Sequence, residues 1–187
     1  MLRRLAPGIA PVLVLAATLV GCSDPEPLPS TSPSTSGAMP VTEDQLLADT
    51  RAAWDAHQTL LSEFGAAPAN ASRERLLEVT TPDSADTLMS NFDDAADRRI
   101  HTEGQRRTTV FQLHDTTEAP SRVEVAVCVD VSNERIVGDE GLDLTPTDRP
   151  LLQPSLVEFV SGPGDSGYIV ARQLPAVDEG ANPCSQG

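Results

Sequence analysis

Residues 122–131 read RVEVAVCVDV, and this stretch decides the fold. Val123, Val125, Val127, Val129 and Val131 alternate with Arg122, Glu124, Ala126, Cys128 and Asp130. Successive side chains of an extended chain point to opposite faces, so a period of two puts all five valines on one side of a strand. Valine branched at Cβ suits that geometry. A face so apolar must be covered.

The cover lies upstream, where the period changes. Leu46, Leu47, Thr50, Ala53, Trp54, His57, Leu60, Leu61 and Phe64 recur at spacings of three and four, which predicts one face of a helix over 42–64. Thr42 is placed to cap it, with Gln45 as the third residue of a capping box and Glu43 and Asp44 at the positive end of the dipole. Gly65 and Pro68 are expected to end it. A shorter helix is predicted over 71–79, with Leu76, Leu77 and Val79 inward and Pro82 as its stop. A third should run from Asp83 or Ser84 to about Arg99, carrying Leu88, Met89, Phe92, Ala95 and Ala96. Downstream, strands are predicted over 106–113, 156–160 and 168–174, and a loop over 138–150. The turn from Gly162 to Gly167 joins the last two strands as a hairpin. Helices followed by antiparallel strands mean an α+β domain, here over 41–187: three N-terminal helices on a curved, cone-like antiparallel sheet of four to six strands.

Residues 1–40 differ in kind. Arg3 and Arg4 precede an uncharged apolar stretch, 5–20, shorter than the ~20 residues of a membrane span. Leu19-Val20-Gly21-Cys22 follows. This resembles a bacterial lipobox: residues 1–21 would be a signal peptide, and Cys22 the first mature residue, bearing a diacylglyceryl (palmitate-type) anchor. Two acyl chains suffice for stable anchoring at ~0.8 kcal/mol per buried methylene. The resemblance implies a lipoprotein on the outer, extracytoplasmic face of the cell membrane. An uncleaved helix with an incidental Cys is the alternative. Residues 22–40, rich in Pro, Ser and Thr, would be a disordered tether.

Composition narrows the function. Removing 1–21 takes two Arg and no acid, leaving 11 Arg against 28 Asp plus Glu, a formal charge of −17. Such a field repels nucleic acid and anionic lipid, so the lipid on Cys22 must supply the membrane attachment. All thirteen basic residues are Arg, which points to GC-rich coding. With Cys22 lipidated, Cys128 and Cys184 form an even pair in an exported domain. That predicts a disulfide, with two buried free thiols as the alternative.

Thr81-Pro82, the run Cys128-Val129-Asp130-Val131-Ser132, the segment Gly167-Tyr168-Ile169-Val170 and the Cys near the C-terminus together resemble the nuclear-transport-factor-2-like family. Within it they are most similar to uncharacterised lipoproteins of actinobacterial type. The resemblance spans 42–184 and implies a cone that can enclose an apolar pocket. Tyr168 stands where such proteins often carry Trp. Some members are isomerases or cyclases, but no catalytic motif of theirs is matched here.

Candidate chemistry is sparse. His57 on the first helix, Asp130 on the central strand and Tyr168 are the possible pocket residues; the bland readings are a core-edge histidine, a strand-end acid and a wall aromatic. His114-Asp115 would point to opposite strand faces, and His101 lies in a loop. Asp93-Asp94 and Asp139-Glu140 lack the spacing of a calcium loop. Gly162-Pro163-Gly164 lacks the Lys and helix of a phosphate cradle. No metal or cofactor motif is found. The expectation is a non-enzymatic domain that binds a protein or a small apolar ligand, with an isomerase or cyclase as the alternative.

Overall fold

The computed structural model describes residues 41–163, 165–176 and 182–186. The expected signal peptide, Cys22 and the expected tether lie outside the described residues. Three helices come first: α1 (Glu43–Ala66), α2 (Arg73–Leu77) and α3 (Pro82–Asp97). Six strands follow: β1 (His101–Gly104), β2 (Arg107–Asp115), β3 (Arg122–Asp130), β4 (Glu134–Val137), β5 (Leu152–Ser161) and β6 (Tyr168–Pro175). The main sheet has the order β2-β3-β5-β6, antiparallel throughout, and β1 and β4 form a separate antiparallel pair. The expected α+β class with three leading helices holds.

Thr42 caps α1, its hydroxyl accepting from the Gln45 N–H at 3.2 Å. The expected capping box does not close. Gln45 Nε2 donates instead to Asp49 Oδ1 at 2.8 Å, a charge-assisted bond one turn ahead. The buried stripe of α1 is Leu46, Thr50, Ala53, Trp54, His57, Leu60 and Phe64. Gly65 lies inside the helix rather than ending it. A Cβ there would meet Thr102 Oγ1 at 2.5 Å, so glycine is needed for the close approach of β1.

The valine face packs as its period requires. Val123, Val125, Val127, Val129 and Val131 form one core with Leu46, Ala53 and Trp54 of α1, Val157 and Phe159 of β5, and Tyr168 and Val170 of β6. Each Val, Leu or Phe among them contributes roughly 1.5–3 kcal/mol by burial. A second cluster of Leu60, Phe64, Leu76 and Ala85, with Leu88, Met89 and Phe92 beside it, holds α2 and α3 to the far half of α1.

The opposite face of β3 is not open. Ala126 and Cys128 are also buried. A 3-10 turn, Pro183–Gln186, packs on β2, β3 and β5. Its Cys184 Sγ lies 2.03 Å from Cys128 Sγ, with the Cα atoms 5.2 Å apart. The expected cysteine pair is thus present, and it brings the end of the chain onto the sheet. Further along this face an ion-paired ladder replaces the apolar cover. Arg122 reaches Glu124 at 2.8 Å and Glu158 at 2.9 Å, and Arg172 reaches Glu158 at 2.7 Å.

Several boundaries differ from expectation for local reasons. Helix α2 stops at Leu77 because Val79, Thr80 and Thr81, two of them Thr and all β-branched, leave it to pair with β6. Pro82 opens α3 at its first turn, where a missing N–H costs nothing. Strand β5 begins at Leu152, ahead of Pro154, because β6 is running out there and the absent donor removes only an end rung. Residues 101–104, where His101 was expected in a loop, and 134–137, for which no element was expected, are short paired strands.

Candidate functional site

The site grows from an irregularity in β6. Pairing with β5 shifts register between Glu158 and Phe159: Phe159 faces Val170 and Glu158 faces Arg172, so Ala171 is an extra residue, a bulge. The bulge leaves Ala171 without a ladder partner, and Val170, at a non-bonded rung of the edge strand β6, turns its N–H and C=O outward. The segment after α2 supplies the partners. Val170 N–H donates to Val79 O at 3.0 Å, and Val170 O accepts from Thr81 N–H at 3.2 Å and from Thr80 Oγ1 at 2.5 Å. Ala171 O accepts from Thr81 Oγ1 at 3.2 Å and from Ser84 Oγ. Thr81 spends its hydroxyl here and makes no side-chain cap on α3.

Around the bulge a half-open groove of about 300 Å³ lies between β6 and the helices α1 and α3. Helix α1 supplies His57 and Leu61, and α3 supplies Ser84, Thr87 and Leu88. Strand β6 supplies Val170, Arg172 and Gln173, with Thr80 at the inner end. The hydroxyls are already committed as donors: Thr80 to Val170 O, Ser84 to Ala171 O, and Thr87 to Asp83 O at 3.0 Å. What they retain toward a ligand is acceptor capacity. Arg172 Nε is held by Glu158 at 2.7 Å.

His57 is the one titrating ring of the groove. It is 3% exposed and stacks on Trp54, with ring centroids 5.7 Å apart. Its Nδ1 lies 3.5 Å from Gln58 Nε2. Burial lowers its pKa from 6.5 to about 4, and the nearby Arg106 charge pushes the same way. The ring is therefore neutral at pH 7.

The three expected pocket residues are not brought together: only His57 lines the groove. Asp130 ends β3 on the other sheet face, opposite Arg107. Its Oδ1 accepts from Ser132 N–H at 2.9 Å, and that turn, with Arg107 further off, lowers its pKa. Tyr168 belongs to the main core, where its buried hydroxyl has no hydrogen-bond partner among the described residues. Burial, with Asp49 nearby, raises its pKa. His101 sits on β1, 3.6 Å from Glu103, and Asp115 is tied up in a turn through Thr117 N–H at 2.8 Å. Asp139 and Asp94 pair with Arg99 and Arg98. Among the described residues no group of three or more His, Cys, Asp or Glu could hold a metal ion. Thr80, Ser84, Thr87, Leu88 and Gln173 were not singled out by motif or periodicity as site residues. The one signal for Thr80 is the β-branched run that ends at Pro82.

No family model matches the chain, and no curated protein matches it. Two solved structures are similar at low identity. The intermembrane space region of the chloroplast protein ARC6 is 9% identical with a TM-score of 0.49, covering 69% of this chain and 95% of its own. A de novo designed β-sheet protein is 13% identical with a TM-score of 0.30, covering 73% and 95%. At these scores neither bears on function.

Proposed function

We propose that this protein is an exported lipoprotein whose α+β domain is a non-enzymatic binding module, taking a small apolar ligand or an apolar part of a partner protein in the groove between α1, α3 and β6. The observation that carries the reading is the groove itself: it opens where the Ala171 bulge turns β6 away, is walled by Leu61, Leu88 and Val170, and holds a histidine kept neutral by burial. Mostly apolar concavities with a few fixed polar groups favour binding of apolar groups. We read the sheet and its helix layer as a curved, cone-like arrangement of the nuclear-transport-factor-2-like kind, with this groove as its mouth. The lipobox Leu19-Val20-Gly21-Cys22 supports attachment through Cys22 to the outer face of the cell membrane. The chain's formal charge of −15 supports a partner other than nucleic acid.

An isomerase or cyclase on the same groove is the second reading, favoured by His57 lining it. A general base works best with a pKa near the working pH, and one near 4 is a weak base at pH 7. That weighs toward binding. Turnover that disappears on His57→Ala would reverse the preference.

Nile red, a neutral apolar fluorophore, is the test for the groove. The full chain is expected to bind it saturably and Leu88→Trp, which fills the groove, is expected not to. Equal binding by a folded Leu88→Trp protein would refute the site. The anchor is tested separately. Cys22→Ala should move the protein from the membrane fraction to the soluble one, and unchanged retention would sink the lipoprotein reading.

A further inference from the structure

The free edge of β6 borders the same groove, and its hydrogen-bonding phase follows from the register. Ala176 N–H donates to Pro154 O at 3.1 Å, so the backbone of Ala176 points inward to β5. Antiparallel pairs alternate between bonded and non-bonded, which places Leu174 and Arg172 inward as well, opposite Leu156 and Glu158. Gln173 then directs both its N–H and its C=O to the outer edge, and Pro175 its C=O. Among the described residues nothing pairs with them. The missing N–H of Pro175 lies on this outer side, the side on which an edge strand tolerates proline.

The same edge already accepts a strand a few residues earlier. Val79–Thr81 pairs with Val170 in parallel and stops at Pro82, where α3 turns away. Beyond it lie the open edge of Gln173 on one side and Thr87 and Leu88 of α3 on the other, with the groove between. Its volume of about 300 Å³ is at the floor of the roughly 300–1,000 Å³ typical of small-molecule sites, and it is half-open. That suits one side chain of a longer occupant better than an enclosed ligand.

We propose that the partner is an extended protein segment that adds as a short strand to the β6 edge at Gln173 and places one Leu- or Phe-sized side chain against Leu61, Leu88 and His57. This rests on the binding reading above and specifies its partner. Main-chain bonds to the edge give affinity and the groove selects the side chain, the division found in strand-addition complexes. The segment is free of proline at the pairing residue, because it must offer an N–H to the Gln173 carbonyl. Its flanks are neutral or basic, since the chain's charge of −15 disfavours an acidic approach.

The test pans a display library of random nine-residue peptides on the full chain and measures the selected peptides by titration against three variants. Gln173→Pro removes the outward N–H, whereas Gln173→Ala keeps it and removes only the side chain. Leu88→Trp fills the groove. Selected peptides are expected to carry a single large apolar residue and to lose about tenfold or more in affinity on Gln173→Pro, the cost of a strand bond left unmade. They should bind Gln173→Ala nearly as well as the native chain. The Gln173 amide should also exchange more slowly with deuterium when peptide is bound. Equal affinity for a folded Gln173→Pro protein, unchanged exchange at Gln173, or no peptide selected while Nile red still binds would each overturn strand addition and leave the groove reading intact. Failure of both Nile red and peptides would take down both.

Discussion

The lowered pKa of His57 makes a quantitative demand on stability. The ring is neutral in the folded state because burial lowers its pKa from 6.5 to about 4, with Arg106 adding to the effect. In the unfolded chain it titrates near 6.5. Between those values the unfolded state binds a proton that the folded state refuses. Stability is therefore fully present above about pH 6.5 and is lost as pH falls toward 4. A shift of ~2.5 units at ~1.36 kcal/mol per unit amounts to roughly 3 kcal/mol when complete, and about 2 kcal/mol is already lost at pH 5. Carboxylates also titrate in acid, so the decisive quantity is a difference. His57→Leu fills the site with a side chain that does not titrate. Urea unfolding followed by the fluorescence of Trp54, the only tryptophan and the ring that stacks on His57, should be measured for both proteins from pH 7.5 to 5. The native protein is expected to lose about 2 kcal/mol relative to His57→Leu over that range. Parallel curves for the two proteins would refute the claim that His57 is held neutral by burial.

Three further outcomes follow from the fold. Replacing Cys128 and Cys184 together by Ser should cost about 4 kcal/mol in urea unfolding, from the loop-closure entropy of a 56-residue separation; a loss below about 1 kcal/mol would mean that the cross-link does not constrain the unfolded chain. Glu134 accepts from Arg106 Nε at 2.7 Å and lies 3.5 Å from Arg149, with both Glu134 and Arg149 nearly buried. Glu134→Gln should cost about 3 kcal/mol, since two guanidinium groups lose their counter-charge, and a thermal scan showing no change would contradict that. Gly104 has φ +88°, and a Cβ there would fall 1.8 Å from Asn133 O. Gly104→Ala should therefore lower stability by more than about 1 kcal/mol, and a neutral result in the same urea assay would show that the β1–β4 pair adjusts freely.

The parts of the fold that were legible in the sequence are those where one residue's face is settled by its neighbours' period. The valines of 123–131 and the stripe from Leu46 to Phe64 each repeat long enough to orient a whole element, and both pack as their periods demand. The β1–β4 pair was not legible. Residues 101–104 read HTEG and 134–137 read ERIV, too short to show alternation, and they are held instead by Glu103–Arg135 and by the Glu134 ion pairs. The burial of Ala126 and Cys128 was hidden for a different reason. Their cover is a turn some 56 residues away, brought in by Cys184, and alternation within a strand carries no information about what lies on its second face.

The groove was the least legible part, and the reason is physical. Asp130 and Tyr168 drew attention because they are chemically conspicuous, yet one is consumed by its own turn and the other by the core. The groove depends instead on a single extra residue, Ala171, whose side chain announces nothing. Bulges arise from a mismatch of register between two strands, and no property of one strand alone reveals a mismatch. What the sequence does carry is the response to it. Thr80, Thr81 and Ser84 supply three hydroxyls to two adjacent carbonyls of β6, far more polar attention than an edge strand needs for stability alone. Those hydroxyls hold α3 against β6 up to the bulge and no further, so the helix and the strand diverge from a fixed point. On the proposed binding reading, selectivity would rest with Leu61, Leu88 and His57, which line the groove beside that fixed point.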